Sequence, residues 1–497
     1  MHFALTLLLS TALPSPASTT FNLDFSTGRL IGWEGQGFYI TTGAGQGPNL
    51  VVGVSSSDRG PKGCTGLLHR TLVVPPDAGA IRFRAATVRP PGVPAGARLD
   101  VYLEAAGRRF LPRQVQTQQG WETATTLLPS RKGQPCEYQW QVDNFAGQTV
   151  RIVLIDEDDR PGCSVFCSGF QILSRDDLHA EEFGALMSRL SQQGRLAPAT
   201  RYDTPHFLAF STADEQDTDQ RLYNCEMIYH LFYRHFRRRG FSLREPTGKL
   251  MVAIFDSQAG LEAYLGYRLS SAITGLYHPA SNRLLVYDLG SNRAFVAGKK
   301  QGQEIARQIP SDVQRQRILG TFHRQAQDWR EDANIGTIMH EVAHQLSFNS
   351  GLLNRDGDTP LWLSEGLACY CEATDNGAWQ GVGEANPLRA NVLVAVLRGK
   401  GSFIPLRTLV ASDDWYRKST NANLAMLGYS QSWALFHFLL ETRPQALREY
   451  LSLIYSRKTP EHRLDDFVQI FGSLHPLECE YQAYLKALAR TQAKVPK

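Results

Sequence analysis

The first third of the chain alternates short apolar runs with clusters of Gly, Pro and Asp. Runs such as GFYITTG, AIRFRAATV, RLDVYLEA and TVRIVLIDE have the period of two that is typical of strands, and they show no helical period. Several short strands at regular spacing indicate an all-β sandwich or jelly roll. The pattern predicts such a module over residues 20–175, followed by a polar helical linker over residues 176–200.

Beyond the linker, the pattern changes to strands that alternate with helices. HFLAFST and KLMVAIFD are predicted strands on either side of an amphipathic helix over residues 217–239, and ITGLYHP and RLLVYDL form a predicted hairpin that turns at residues 280–282. The remainder is almost wholly helical. We therefore predict a second domain over residues 201–497, which divides into an α/β subdomain (201–300) and a helical subdomain (301–497).

The chain begins with an apolar run over residues 3–13, followed by small residues and prolines. This layout predicts a secretory signal peptide over residues 1–19, and therefore a protein that is secreted, periplasmic or attached to the cell surface. The alternative is a buried N-terminal helix, because His2 is the only candidate charge before the apolar run. No later stretch has the ~18 apolar residues that cross a bilayer, so no transmembrane segment is predicted.

Composition is that of an ordinary globular protein. The 497 residues include 42% hydrophobic and 20% charged residues and carry a net charge of only +4. This balance gives no reason to expect nucleic acid or an acidic membrane as a partner. The length predicts two or three domains.

Two clusters in the first third have open interpretations. In an exported protein, one or two disulfides are expected among four of the eight cysteines, and three pairings are possible: Cys64, Cys136, Cys163 and Cys167. The acidic residues 156–159 have the ligand chemistry of a calcium site, but they also fit an exposed acidic turn.

The stretch GTIMHEVAHQL contains two histidines four residues apart. On a helix, His340 and His344 lie about 40° apart on one face, while the apolar side chains gather on the opposite face. Two such imidazoles can bind one zinc ion. Glu341 lies about 100° further round the helix, where it can reach a zinc-bound water and act as a general base.

A zinc site of this kind requires a third ligand. The segment TPLWLSEGLACYCEA provides Glu365 inside a second predicted helix, after His344 in the chain. The two segments and their separation resemble the metal helices of gluzincin metallopeptidases, especially the aminopeptidase N-like and peptidase MA-like branches. Residues 200–460 as a whole resemble the secreted peptidase MA-like families of bacteria such as planctomycetes.

The resemblance implies an α+β zincin (gluzincin) fold that hydrolyses a peptide or protein substrate. It implies that His340, His344 and Glu365 hold Zn²⁺ and that Glu341 activates the attacking water. It also implies a role for Tyr429, in LGYSQSWALFHFLL at the start of an apolar helix, as hydrogen-bond donor to the oxyanion of the tetrahedral intermediate. A packing role is the alternative for this tyrosine.

Two positions depart from the family pattern. Thermolysin-like members often have an aspartate, four residues after the glutamate ligand, that orients a ligand histidine; here that position is Cys369. Glu372 either replaces the aspartate or is a solvent-facing or ion-paired side chain. The strand TGLYHP lacks the glutamate with which aminopeptidases bind a free amine, so endopeptidase or oligopeptidase action is predicted. This strand can still pair with a substrate backbone.

The front module has a resemblance of its own. The stretch FNLDFSTGRLIGWEGQGFYI and the end of the β-rich region resemble the first and last strands of galactose-binding-like jelly rolls, which implies a glycan or surface ligand. The leading prediction is an exported zinc endopeptidase. The alternative is a non-catalytic cell-surface or glycan-binding protein whose zinc is structural. A structural site normally fills all four zinc positions with protein ligands, so the predicted set favours catalysis.

Overall fold

The computed structural model describes residues 22–41, 50–53, 65–94, 96–110, 113–117, 120–129, 135–160, 162–246, 248–417 and 422–492. The chain forms two compact units, Met1–Glu181 and Glu182–Lys497. The predicted signal peptide lies outside the described residues. Among the described residues, no helix has both the length and the apolar character needed to cross a membrane.

In the described part of the first unit, twelve strands form two antiparallel sheets, with orders β1-β4-β11-β6-β7 and β2-β3-β12-β5-β10-β8-β9. The strands are β1 (Glu34–Gln36), β2 (Phe38–Thr41), β3 (Leu50–Gly53), β4 (Gly66–Val73), β5 (Ala78–Val88), β6 (Leu99–Ala105), β7 (Arg108–Phe110), β8 (Arg113–Thr117), β9 (Gly120–Ala124), β10 (Cys136–Gln141), β11 (Thr149–Asp156) and β12 (Ser164–Ser174). A short 3-10 helix, Asp143–Phe145, precedes β11.

The core of this unit follows from the alternation of side chains along each strand. On β5, Ile81 and Phe83 are buried, whereas Arg82 and Arg84 point to the other face. Phe83 stacks on Trp140 of the neighbouring β10 with ring centroids 4.3 Å apart. The predicted β-sandwich is confirmed.

The disulfides expected in this unit are absent among its described cysteines. Cys136, Cys163 and Cys167 are free thiols, and Cys64 lies outside the described residues. Cys136 and Cys167 both pair with Ala85, from opposite sides of β5. Their Cα atoms are therefore two inter-strand spacings apart, roughly 9 to 10 Å, whereas a disulfide needs less than about 7 Å.

The acidic residues 156–159, at the end of β11, are only partly exposed. Asp156 and Asp158 are buried, and Glu157 and Asp159 are exposed. Asp158 is paired with Arg160 at 2.6 Å. Asp156 accepts the Asp158 N–H through Oδ1, but its Oδ2 is buried without a hydrogen-bond partner among the described residues. This burial, with a smaller contribution from Asp158, raises the pKa of Asp156 to about 7.

Replacing Asp156 by Asn is expected to stabilise the β-sandwich increasingly as pH rises from about 4 to about 7. In this window the unfolded wild type releases the Asp156 proton while the folded state, with its raised pKa, keeps it. The wild type therefore loses up to about 1.4 kcal/mol of stability per pH unit, whereas the amide of the variant does not ionise. Denaturant unfolding of both proteins across this range measures the difference. A difference independent of pH would contradict a neutral buried carboxyl.

The second unit begins with a five-stranded sheet of order β13-β14-β15-β17-β16. After helix α1 (Arg175–Gln192), which crosses the boundary between the units, come β13 (Thr200–Asp203), β14 (Phe207–Ser211), α2 (Glu215–Arg238), β15 (Leu250–Phe255), α3 (Gln258–Leu265), β16 (Gly275–His278) and β17 (Arg283–Tyr287). Strands β14, β15 and β17 are parallel, and β16 is antiparallel to β17 at the edge. The predicted hairpin is confirmed.

The rest of this unit is mostly helical, as predicted. The elements are a 3-10 turn (Leu289–Ser291), α4 (Arg293–Arg307), α5 (Asp312–Asn349), α6 (Leu361–Cys371), the short strands β18 (Thr374–Asp375) and β19 (Ala378–Trp379), α7 (Pro387–Leu397), α8 (Leu406–Ala411), α9 (Asp414–Arg417), α10 (Ala422–Thr442), α11 (Pro444–Tyr455), a 3-10 turn (Pro460–His462), α12 (Arg463–Phe471) and α13 (Leu474–Gln492).

Helix α5 is buried only along its second half, and helix α10 begins earlier than predicted. The first half of α5 is largely exposed, whereas its second half is buried and holds the two predicted zinc-binding histidines. The prediction that Tyr429 lies at the start of its helix is wrong, because α10 begins at Ala422, two turns earlier. The segment ANLAML consists mostly of strong helix formers, which explains the earlier start.

A close contact at Gly366 holds α6 against α10. A Cβ atom at this position would lie 2.5 Å from the backbone oxygen of Ser432 on α10 and 2.9 Å from its carbonyl carbon. Backbone atoms cannot rotate away as a side chain can. The glycine beside the predicted ligand Glu365 therefore sets how closely this helix approaches the helix of Tyr429.

Replacing Gly366 by Ala is expected to destabilise the protein by about 1 to 3 kcal/mol, because the methyl group forces two packed helices apart. Gly320, on the exposed half of α5, has open space around its Cα and is a matched control. Gly320→Ala is expected to increase the free energy of unfolding by about 0.5 to 1 kcal/mol, since Ala is the better helix former. Denaturant unfolding of both variants is the measurement, and equal effects would refute the contact.

Candidate metal centre

Helix α5 brings the two predicted histidine ligands together. His340 and His344 are one helical turn apart, and their Nε2 atoms lie 3.2 Å from each other. On the opposite side, Met339 and Val342 are fully buried in the core of the second unit. The apolar face fixes the helix in the core and directs both imidazoles to the same point.

Helix α6 supplies the third predicted ligand. Glu365 Oε2 lies 3.1 Å from His340 Nε2 and 3.4 Å from His344 Nε2. Four tetrahedral ligands at ~2.0 to 2.1 Å from a zinc ion are separated from one another by ~3.3 Å. The triangle formed by the three ligand atoms matches this separation, so the donor set fits Zn²⁺ or a similar divalent cation.

Glu341 lies beside this triangle, between helix α5 and the edge strand β16. Its Oε2 accepts the backbone N–H of Tyr277 at 2.7 Å. Burial raises the pKa of Glu341, although the two histidines act in the opposite direction. The close approach of strand and helix requires Gly275, because a Cβ there would meet Thr337 Cγ2 at 2.7 Å and Glu341 Cγ at 3.3 Å. The strand thus holds one oxygen of the predicted general base in place.

Glu372 lies behind His340 and bonds to its second ring nitrogen. His340 Nδ1 lies 2.6 Å from Glu372 Oε2, and Nδ1 carries the proton because a carboxylate can only accept. With Nδ1 as the donor, the neutral imidazole directs an unprotonated Nε2 to the ligand triangle, which is the form that binds a metal ion. Glu372 is buried and ion-paired with Arg389, so the solvent-facing alternative is wrong. Burial raises the pKa of Glu372, but Arg389 and His340 outweigh this effect and lower it to about 2.

Arg389 and Asn386, on the other side of Glu372, were not identified from the sequence. Arg389 donates from Nε to Glu372 Oε1 at 2.6 Å and from Nη2 to Oε2 at 3.0 Å, and Asn386 Nδ2 donates to Oε1 at 3.0 Å. The Asn-Pro pair at 386 and 387 is a recognisable helix start, and Asn386 caps α7 by accepting the Arg389 N–H. No sequence signal connects that helix to Glu372.

Tyr429 also lies at this site. Its ring centroid is 6.4 Å from that of His340, and it packs against Tyr416 with centroids 5.6 Å apart. Burial, followed by the nearby Glu365 carboxylate, raises the pKa of Tyr429 far above its ordinary value. The hydroxyl therefore stays protonated. All five predicted site residues lie together in the second unit.

Two other groups of possible ligands among the described residues are less suitable for a metal ion. His340, Cys369 and Glu372 form one group, but the Arg389 guanidinium contacts its carboxylate and opposes a second cation. The other contains His206, Glu226 and His230. There the carboxylate already accepts the His206 Nδ1 proton at 2.6 Å and the Thr204 hydroxyl at 2.6 Å.

Comparison with known proteins adds one family match. The family described as "Protein of unknown function (DUF1570)" matches residues 334–461. The matched segment contains both histidines, Glu365 and Tyr429, and it leaves out the β-sandwich. No curated protein matches the chain.

Some solved structures share a low similarity with the chain, each at 12% identity. The carbohydrate-binding module TmCBM61, in complex with β-1,4-galactotriose, covers 32% of this chain and 98% of its own, with a TM-score of 0.21. The match to CBM28, a module specific for non-crystalline cellulose, covers 30% of this chain and 92% of the CBM28 chain, with a TM-score of 0.17. The match to the enzymatically active domain of tailspike protein 4 of bacteriophage CBA120 covers 31% of this chain and 21% of the tailspike chain, with a TM-score of 0.18. TM-scores this low do not establish a shared fold.

Proposed function

We propose that the chain is a zinc-dependent endopeptidase of the gluzincin type, with a zincin fold in its second unit. The observation that carries the proposal is the triangle of His340, His344 and Glu365 ligand atoms, 3.1 to 3.4 Å apart, with the Glu341 carboxylate beside it. The three side chains keep 13%, 11% and 12% of their surfaces exposed, so the protein does not enclose them completely. A structural zinc site would enclose its ion with a fourth protein ligand.

When bound, Zn²⁺ supplies a water of lowered pKa, near ~7, and polarises the substrate carbonyl. Glu341 takes the proton from the attacking water and later gives it to the leaving amine nitrogen as the C–N bond breaks. The Tyr277 N–H keeps this carboxylate aligned during both transfers. Tyr429 donates its hydroxyl proton in a hydrogen bond to the developing oxyanion.

The open edge of strand β16 favours the proposal of a peptide substrate. It is the last strand of its sheet, and the Tyr277 N–H points away from β17 because it reaches Glu341. Backbone groups two residues apart share an edge, so those of Gly275 point outward as well. An extended peptide can add to such an edge. The segment TGLYHP contains no glutamate for a free amine, which favours cleavage within a chain.

A glycan or surface ligand is proposed for the front unit. One face of its seven-stranded sheet presents polar side chains in register: Gln139 pairs with Arg82 on one side and with Gln114 on the other. Arg82 donates to Gln139 at 3.1 Å, and Gln139 donates to Gln114 at 2.7 Å. Arg82 also lines an open groove of about 940 Å³. Arg84, Glu137 and Gln171 line the same groove, and guanidinium, carboxylate and amide groups bond well to sugar hydroxyls.

Removal of the metal with a chelator is expected to abolish hydrolysis of casein or of an unbiased peptide mixture, and added Zn²⁺ is expected to restore it.

Glu341→Gln is expected to keep the zinc and lose the hydrolysis, because the amide cannot accept the water's proton. Metal analysis and mass spectrometry of the products are the measurements. A variant that remains active would exclude Glu341 as the base. A stable protein that binds a glycan array and cleaves no peptide would instead favour the non-catalytic alternative.

Replacing Tyr429 by Phe is expected to lower kcat by about 10² to 10³-fold, with KM and zinc content unchanged, because its hydrogen bond forms only in the transition state. Tyr484→Phe is the control, since the Tyr484 hydroxyl bonds to His437 on the same helix α10 at 2.8 Å. Steady-state kinetics separate the two variants. Equal kcat in both would assign Tyr429 to packing.

A further inference from the structure

We propose that Arg389 is a positioning residue that fixes two parts of the metal centre at once: the ligand His340, through Glu372, and Tyr429, through the face of its ring. This inference rests on the proposed function, because it assigns roles within the same site. It concerns a side chain that touches neither a ligand atom of the proposed metal nor the substrate.

The first contact is a two-pronged ion pair inside the protein. Arg389 holds both oxygens of Glu372, at 2.6 and 3.0 Å, and both residues are buried. A guanidinium is planar, so two parallel hydrogen bonds fix the plane of the carboxylate as well as its position. Glu372 Oε2 is also the atom that receives the His340 Nδ1 proton at 2.6 Å. The arginine therefore determines the direction in which the imidazole points.

The second contact is with helix α10. The Arg389 Cζ atom lies 5.4 Å from the centroid of the Tyr429 ring, a distance typical of a cation–π contact. Arg389 Nη1 lies 3.1 Å from the sulfur of Met426, one turn before Tyr429 on the same helix. The guanidinium thus contacts α10 at two successive turns and limits the positions open to the tyrosine ring.

These contacts place one planar cation between three helices. Arg389 is on α7, Glu372 follows the last residue of α6, and Tyr429 is on α10. Lysine carries the same charge on a single nitrogen, so it cannot hold two carboxylate oxygens in one plane and stack on a ring at the same time. The shape of the guanidinium, and not only its charge, is required.

Arg389→Met is expected to weaken zinc retention by about 10 to 100-fold, the usual effect of losing an outer partner of a ligand histidine. It is also expected to lower kcat with little change in KM, since Tyr429 acts in the transition state. Competition with a metal chelator and steady-state kinetics on the full-length protein are the measurements. Zinc retention and kcat equal to those of the wild type would overturn the inference.

Arg457→Met is the matched control. Arg457 also bonds to a buried carboxylate with two nitrogens, Asp466 at 2.8 and 2.6 Å. Within the described part of the chain, its side chain forms no ion pair with the metal-centre residues. Its loss is expected to lower the unfolding midpoint without changing zinc retention or kcat in the folded protein. If this control weakened zinc retention as much as Arg389→Met, the effect would be one of general stability and the inference would fail.

Arg389→Lys keeps the inference testable if the methionine variant does not fold. It preserves the charge but loses the two parallel hydrogen bonds of the guanidinium, so a several-fold loss of zinc retention is expected. Zinc retention equal to that of the wild type would overturn the inference.

The outcomes also separate the inference from the proposed function. A wild type that binds zinc but cleaves no peptide refutes the function, while the chelator competition still tests Arg389. A wild type that cleaves peptides while the Arg389 variants match it refutes only the inference.

Discussion

The site depends on holding three lone pairs face to face inside the protein. When His340 Nδ1 donates its hydrogen bond to Glu372, neutral His340 presents Nε2 as an acceptor, and Glu365 Oε2 is a carboxylate acceptor. Metal binding requires His344 Nε2, 3.2 Å from His340 Nε2, to be an acceptor too. Acceptors at this distance repel one another unless a cation lies between them. The packing of helices α5 and α6, buried by apolar residues on their far sides, keeps the three atoms together. The fold of the second unit thus positions the three atoms as the proposed metal site requires.

Much of this support was predictable because its signals are local. The histidines and Glu341 belong to one helix, where spacing alone determines the face. The hairpin of β16 and β17 follows from alternating side chains and the turn residues between the strands. The β-sandwich is predictable for the same reason, since period-two patterns require no knowledge of which strand pairs with which.

The remainder was not predictable because it depends on partners that are far apart in sequence. Nothing in the spacing between Glu372 and Arg389 indicates that they pair, since two elements and a loop lie between them. The burial of Asp156 depends on how the end of β11 packs, and the free thiols of Cys136 and Cys167 depend on their both flanking β5. The role of Tyr429 was implied by the family resemblance, but its position within α10 depends on where that helix begins.

The shortness of the edge strand has a consequence for recognition. Strand β16 has four residues, and only Gly275 and Tyr277 present backbone amides to its open side. Glu341 already uses the amide of Tyr277, so one outward donor on this strand remains for a bound chain. A single such bond contributes about 0.5 to 1.5 kcal/mol. If the proposed peptide substrate pairs with β16, its main-chain bonds are limited to this donor and the outward carbonyls of Gly275 and Tyr277. Discrimination among such peptides would then depend on pockets that contact their side chains.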